Sequence, residues 1–191
     1  EPHLLRTCGR PVAGVHARIV DDDLNPLPPG EVGEVVIRGP TVMKGYWNRP
    51  EETAAALRGG WLHMGDLGSR DAEGFITLVD RKKDMIVSGG ENVFSPEVEN
   101  ALAAHPDVVE CAVIGVPDER WGERVHAVVV LVEGAAADAT ALQAHCRAMI
   151  GGYKVPRSFD FADALPKTAY GKVQKSALRD RYWSGVGRSV A

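Results

Sequence analysis

Residues 80–93 have the sequence DRKKDMIVSGGENV, and they divide the chain into two parts of different character. The charged run at 80–84 interrupts the apolar pattern. Before it, short apolar segments alternate with proline- and glycine-rich turns, which is typical of antiparallel β structure. After it, strand-like segments alternate with amphipathic helical ones. We therefore predict an α+β chain, with an antiparallel β-rich domain over residues 1–80 and a small α+β domain over residues 81–191.

Turn and cap signals place the individual elements. Ser95-Pro96-Glu97 is expected to open a helix, with Ser95 as the cap and Pro96 at the first helical position. Gly89-Gly90 is expected to form the turn of a hairpin. The predicted strands are 12–20, 34–38, 74–79, 85–88, 92–94, 108–116 and 124–132, and the predicted helices are a short one from Arg49-Pro50 to Gly59-Gly60 and those at 95–104, 138–150 and 173–182.

Composition excludes several classes of protein. A formal net charge of -4, from 22 basic and 26 acidic residues without a block of one sign, gives no footprint for nucleic acid. No apolar run reaches the roughly 20 residues of a transmembrane segment, and the first residues lack the parts of a signal peptide. We expect a cytoplasmic protein without a transmembrane segment.

Cysteine and histidine usage gives no sign of a metal site or of disulfides. Cys8, Cys111 and Cys146 are far apart and odd in number, which argues against a disulfide framework and against paired-cysteine zinc binding. We expect buried thiols at all three. The histidines lack metal-ligand spacing, and for His63 we expect a packing or backbone-bonding role.

Three stretches carry residues suited to chemistry. In Gly60–Asp66, GWLHMGD, a glycine-flanked turn is expected to project the Asp66 carboxylate, which can accept both hydroxyl protons of a ribose cis-diol or simply stabilise its own turn. At 89–90 a hairpin tip without side chains allows close approach of a slender ligand, or is an ordinary turn. In Pro166–Lys172, PKTAYGK, a loop presents Lys172, whose ammonium suits anionic oxygens or only solubility.

In this order and spacing, the three stretches resemble the adenylate-forming, or AMP-binding, family, which includes acyl-CoA synthetases, peptide-synthetase adenylation domains and firefly luciferase. The resemblance runs from Gly9-Arg10-Pro11 to about Tyr182. The sequences at 45–53, GYWNRPEET, and at 88–93, SGGENV, are more similar to those of acyl-CoA synthetases than to those of peptide-synthetase domains. The resemblance implies that the chain begins with the barrel-like end of a large N-terminal domain and continues into a mobile C-terminal domain.

The resemblance implies a role for several residues. Asp66 would bind the ribose hydroxyls of ATP or acyl-AMP, and Arg81 would contact the same ribose. Lys83 falls at the hinge position. Lys172 would be the catalytic lysine of adenylation, bridging the carboxylate substrate and the α-phosphate.

A second group of residues would serve CoA. By the resemblance, Gly89 and Gly90 would line the pantetheine tunnel, and Trp121 would pack near pantetheine. Tyr153 and Lys154 belong to a motif near the entry for the CoA nucleotide. Some relatives carry an arginine at the position of Val155, so either Lys154 or Arg157 would take over its phosphate contacts.

The implied reaction is carried out in two halves. A carboxylic acid, with a fatty acid as the expected class, attacks ATP to give acyl-AMP and pyrophosphate, and CoA then displaces AMP. The phosphate loop and the magnesium ligands of the family lie upstream of the matched region, so we expect this chain alone to be inactive. The alternatives are a non-catalytic remnant that binds nucleotide or a partner, and a peptide-synthetase type of adenylation domain. The loop of Lys172 also fits a hypothesis of acetylation by a protein acetyltransferase.

Overall fold

The computed structural model describes residues 2–184, which form two compact units. The first unit extends to Lys82 and the second begins at Lys83. Both contain a β-sheet, and helices accompany each sheet. The predicted α+β class, with antiparallel strands in the first part, is confirmed.

The first unit is built on a four-stranded antiparallel sheet whose strands follow the order of the chain. Successive strand residues face opposite sides of a sheet. Ile19 and Val20 therefore enter two separate small clusters, one with Ile76 and one with Trp61. The strands are β1 (His16–Val20), β2 (Gly33–Arg38), β3 (Leu62–Arg70) and β4 (Ile76–Arg81); helix α1 (Pro50–Ala56) and a 3-10 turn (Arg58–Gly60) connect β2 to β3, and a further 3-10 turn covers Pro2–Arg6.

Strand β3 corrects the prediction of a turn at residues 60–66. Gly65 has a left-handed backbone, with φ 73°, yet it lies inside the strand. The register between β3 and β4 shifts at Leu67 and Gly68. A bulge absorbs such an irregularity without ending the strand, so the glycines mark a distortion of β3 and not its boundary. The turn prediction was wrong for this reason.

The second unit contains a five-stranded sheet with helices on both faces. The strand order is β6-β5-β8-β7, and β9 pairs parallel with β8. One face packs on α2 and α3 through residues such as Leu102 and Leu142, while the other packs on α4 through Leu178. The elements are β5 (Ile86–Ser88), β6 (Glu91–Val93), α2 (Ser95–Ala103), β7 (Val108–Asp118), β8 (Gly122–Leu131), α3 (Ala139–Met149), β9 (Ser158–Phe161) and α4 (Lys175–Trp183).

The N-termini of α3 and α2 differ in their capping. Asp138 caps α3, because its Oδ1 accepts a hydrogen bond from the N–H of Ala141 at 2.8 Å. Ser95, predicted to cap α2, is instead its first helical residue, and Pro96 is the second. The hydroxyl of Ser95 accepts a hydrogen bond from Lys175 Nζ at 2.6 Å. The capping prediction was wrong because the helix begins at Ser95 itself, which puts Phe94 at the N-cap, and Phe94 has no side-chain acceptor.

The three thiols are free but differ in exposure. Cys146 is buried in the core of the second unit, Cys111 is half-buried and Cys8 is exposed. The prediction of a buried thiol was therefore wrong for Cys8, whose Sγ donates to the carbonyl of Ile76 at 3.2 Å. Within residues 2–184 no helix combines the length and the apolar character needed to cross a bilayer.

Candidate functional site

Asp66 and Arg81 face each other across strands β3 and β4. The register pairs the two residues, and Nε of Arg81 lies 3.5 Å from Oδ1 of Asp66. The N–H of Lys82 donates to the carbonyl of Gly65 at 2.7 Å, which fixes the backbone beside the pair. Arg81 is exposed and Asp66 is partly exposed. A small polar ligand can therefore reach both a carboxylate and a guanidinium at this edge.

A buried carboxylate lies close to this edge, and no sequence motif had indicated it. Glu34 on β2 is buried, and its Oε2 lies 3.1 Å from Nη2 of Arg58 and 3.7 Å from Nζ of Lys82. Its Oε1 lies 3.1 Å from Nδ1 of His63. The His63 side chain is only 6% exposed, which is compatible with the expected packing role, and its polar neighbour is this carboxylate and not a backbone group. A buried acid needs cationic partners, and those of Glu34 come from segments far apart in the sequence, so no local signal indicated it.

The hairpin tip at Gly89 and Gly90 is in contact with Trp121. Both glycines have left-handed backbones, with φ 64° and 85°. The N–H of Gly89 donates to the carbonyl of Trp121 at 2.9 Å, and a Cβ atom at Gly89 would lie only 2.5 Å from Cε3 of the indole. A Cβ atom at Gly90 would meet nothing within 4 Å. The indole therefore rests on Gly89, while Gly90 is open.

Two guanidinium groups lie against the same indole. The Cζ atoms of Arg120 and Arg157 are 4.6 Å and 4.8 Å from the ring centroid of Trp121. Both contacts are within the range of cation–π attraction. They hold the ring over the hairpin and place two positive charges beside it, so that an anionic group at the hairpin would meet complementary charge.

Tyr153 and Lys154 lie on the loop after α3. Tyr153 is exposed, with the ammonium of Lys154 5.5 Å from its ring centroid. Nζ of Lys154 lies 2.7 Å from each carboxylate oxygen of Glu97, and this hydrogen bonding raises the pKa of Lys154. Val155 is buried in the core. The charge of Lys154 is thus already matched by a carboxylate.

Lys172 is held by a closed turn between Thr168 and itself. The N–H of Thr168 donates to the carbonyl of Lys172 at 2.8 Å, and the N–H of Lys172 donates to Oγ1 of Thr168 at 3.2 Å. Lys167 and Val173 form a β-bridge that closes the base of the loop. The Lys172 side chain is exposed. The loop therefore fixes the backbone and leaves the ammonium available.

Lys83 is the first residue of the second unit, and this is the position that the sequence analysis assigned to a hinge. No three histidine, cysteine, aspartate or glutamate side chains come together as metal ligands in the described part of the chain. The residues present do not fit a magnesium site, and no chemical step below depends on one.

Comparisons with known proteins match both units. An "AMP-binding enzyme" family model matches residues 1–47, and an "AMP-binding enzyme C-terminal domain" model matches residues 97–172. The chain is 51% identical over 176 residues to a feruloyl-CoA synthase of Amycolatopsis, which covers 92% of this chain and 36% of that protein. It is 46% identical to a medium/long-chain-fatty-acid–CoA ligase of Mycobacterium tuberculosis, covering 97% of this chain and 34% of that protein.

A solved structure shows the same fold. ATP-bound MatB from Rhodopseudomonas palustris superimposes with a TM-score of 0.87 at 38% identity, covering 95% of this chain and 37% of that one. The chain thus spans about a third of the length of these relatives.

Proposed function

We propose, on the premise that this chain belongs to the AMP-binding enzyme family, that it is the C-terminal part of an AMP-forming acyl-CoA synthetase. The observation that carries the proposal is the pairing of two different surfaces on the second unit. One is the loop that exposes Lys172, and the other is the Gly89 hairpin under Trp121. A cation suits phosphoryl chemistry, whereas a tip without side chains suits a slender thiol.

In the first half-reaction a carboxylate oxygen attacks the α-phosphorus of ATP. A bond forms between that oxygen and phosphorus, the bond to the pyrophosphate oxygen breaks, and pyrophosphate leaves with the electron pair. The Lys172 ammonium would lie between the two negative reactants and offset the charge on the α-phosphate oxygens. Asp66 would accept hydrogen bonds from the ribose hydroxyls, and Arg81 beside it would donate to a ribose oxygen.

In the second half-reaction the CoA thiolate attacks the acyl carbonyl, and AMP leaves as the carbon–oxygen bond of the mixed anhydride breaks. The pantetheine arm would pass Gly89 and Gly90, with the Trp121 indole along its side. Arg157 is the better candidate for a CoA phosphate than Lys154, because Glu97 already pairs with Lys154. Tyr153 would lie at the rim of this entry.

Two half-reactions with different catalytic groups require one unit to present two faces in turn. Lys83 is the proposed hinge, since the division between the units falls directly before it. The proposed domains are the β-rich part over residues 1–80 and the mobile part over residues 81–191, a boundary that lies two residues before this division.

For the acid we propose a fatty acid, supported by the similarity to the M. tuberculosis ligase over 97% of this chain. The feruloyl-CoA synthase, at 51% identity, favours an aromatic acid instead. Pyrophosphate release by the full-length enzyme, measured across fatty acids of different length and ferulic acid, decides between them. Activation of ferulic acid alone would reject the fatty acid.

We also propose the cytoplasm as the location, since ATP and CoA are the substrates and the three thiols are free. The exposed Lys172 suits recognition by a protein acetyltransferase, and acetylation would remove the charge that adenylation needs. Mass spectrometry of the enzyme from cells with an active acetyltransferase tests this, and Lys172 found always unmodified would count against it.

The experiment that tests the reaction class separates the two halves. Full-length enzyme with Lys172→Ala should lose acyl-AMP formation and keep thioester formation from supplied acyl-AMP. Lys167→Ala is the matched control, because Lys167 lies in the same loop but its Nζ pairs with Glu110 at 2.5 Å. Equal losses in both halves for Lys172→Ala would reject its role. A wild-type protein that binds nucleotide without releasing pyrophosphate would favour the non-catalytic alternative.

A further inference from the structure

Helix α4 follows the Lys172 loop directly, and polar contacts hold much of it in place. Leu178 is its only fully apolar buried side chain among the described residues. Lys175, Arg179 and Tyr182 recur at helical spacing and share one face. Each contacts a different part of the second unit, so the effect of each contact can be tested separately.

The contact of Arg179 is the one that reaches the start of the second unit. Nη1 of Arg179 lies 2.6 Å from Oδ1 of Asp84, and both side chains are largely buried, with 10% and 14% exposure. Asp84 directly follows Lys83. Solvent screens an ion pair poorly at such burial. The pair therefore ties the helix behind the catalytic loop to the residue next to the proposed hinge.

We propose that Arg179 is a positioning residue, which through Asp84 holds α4 and the Lys172 loop in a fixed orientation relative to the hinge. The inference rests on the proposed function. In the proposed rotation about Lys83, the ion pair keeps the Lys172 loop in a fixed orientation relative to Asp84, the residue that follows the hinge. Without it, Lys172 would still be present but would be less well placed for the α-phosphate.

The Gly89 hairpin does not depend on this link. Strand β5 begins at Ile86, pairs with β6 along the hairpin and meets β8 at Gly122. The N–H of Gly89 is bonded to Trp121 within the same sheet. Loss of Arg179 should therefore impair adenylation and spare thioesterification, whereas general unfolding of the unit would impair both.

The test uses the full-length enzyme and measures both half-reactions for Arg179→Gln, Asp84→Asn and the double variant. Misplacement of a catalytic group by about 1 Å can cost on the order of a hundredfold in rate, so we expect each variant to lose about tenfold to a hundredfold in acyl-AMP formation. Thioester formation from supplied acyl-AMP should stay within about twofold of wild type. The double variant leaves no unpaired buried charge, and its loss should match that of the single variants. Arg179→Lys, which retains the charge, should recover part of the rate.

Tyr182→Phe is the matched control on the same helix face. Tyr182 contacts His126 and Asp160 and does not touch Asp84. It should leave both half-reactions near wild type. The inference would be overturned if Tyr182→Phe lost acyl-AMP formation and kept thioester formation to the same degree as Arg179→Gln. Equal losses of both half-reactions in Arg179→Gln would also overturn it.

Hydrogen exchange gives a readout that does not require turnover. Arg179→Gln should speed exchange in residues 166–174, where the N–H of Lys172 is bonded to Thr168, and leave residues 86–93 unchanged. Unchanged exchange in 166–174 would overturn the inference. Lys172→Ala in the same assays separates the two claims: if it retains acyl-AMP formation, the proposed function fails, whereas if only Arg179→Gln retains it, only this inference fails.

Discussion

Replacing Gly89 by alanine should destabilise the second unit more than replacing Gly90 by alanine. Both glycines have left-handed backbones, with φ 64° and 85°, so an added Cβ costs each variant about 1–2 kcal/mol in backbone conformation. That cost is common to the pair and cancels in the comparison. What remains is the contact with Trp121.

The size of the difference follows from what the indole would lose. A Cβ atom at Gly89 would lie 2.5 Å from Cε3 and 2.9 Å from Cζ3 of Trp121, so the ring has to move. The displaced ring would lose its contacts with the guanidinium groups of Arg120 and Arg157. Each such contact contributes about 0.5–1 kcal/mol at a partly exposed site, which gives an excess of about 1–2 kcal/mol for Gly89→Ala.

The assay is equilibrium unfolding of the 191-residue chain in urea, followed by tryptophan fluorescence, with the two variants measured under the same conditions. The transition that responds to Trp121 should occur at a lower urea concentration in Gly89→Ala than in Gly90→Ala, with the same dependence on urea. Equal free energies of unfolding for the two variants would refute the placement of the indole on Gly89. So would a larger loss in Gly90→Ala.

Three other predictions concern residues outside the hairpin. Asp138→Ala should cost about 1 kcal/mol in the free energy of urea unfolding, because the N-terminus of α3 loses its side-chain cap, and an unchanged value would contradict the cap. Glu34→Gln should cost about 1.5–3 kcal/mol in the same assay, because Arg58 and Lys82 lose the buried carboxylate that they contact. The exposed Glu31→Gln should cost little, and equal effects of the two variants would contradict the assignment. Burial lowers the pKa of His126 below its ordinary value of 6.5, against an opposing effect of Asp160, so the unfolded chain binds the proton more readily. The corresponding stability is present above pH 6.5 and is lost as the pH falls through the lower pKa of the folded state. The free energy of unfolding should therefore fall less steeply with decreasing pH in His126→Gln than in the wild type. An unchanged pH dependence would contradict this account.

Local signals were enough to predict most of the second unit. The long strands β7 and β8 contain apolar runs at 111–116 and 127–131, and α3 has both a polar cap residue and glycines beyond its end. Such signals depend on neighbours in the sequence. Strand β9 was missed because it has only four residues, two of which are polar, and its pairing with β8 joins residues about 30 positions apart.

In the candidate site, too, residues in local motifs could be predicted, whereas residues brought together by the fold could not. Asp66, Lys172 and the paired glycines stand in recognisable motifs, and the resemblance supplied their proposed roles. Glu34 could not be found in this way, because its partners Arg58 and Lys82 come from separate segments that only the sheet of the first unit brings together. The pairing of Asp84 with Arg179 spans 95 positions and depends likewise on the packing of α4.

The measurement that tests the central claim most directly crosses two variants with two half-reactions in the full-length enzyme. Lys172→Ala should lower acyl-AMP formation by about a hundredfold or more and leave thioester formation from supplied acyl-AMP within about threefold. Gly89→Ala should lower thioester formation and largely spare acyl-AMP formation, since it displaces Trp121 from the proposed path of pantetheine. Parallel losses of both half-reactions in both variants would contradict the assignment of separate surfaces to separate steps.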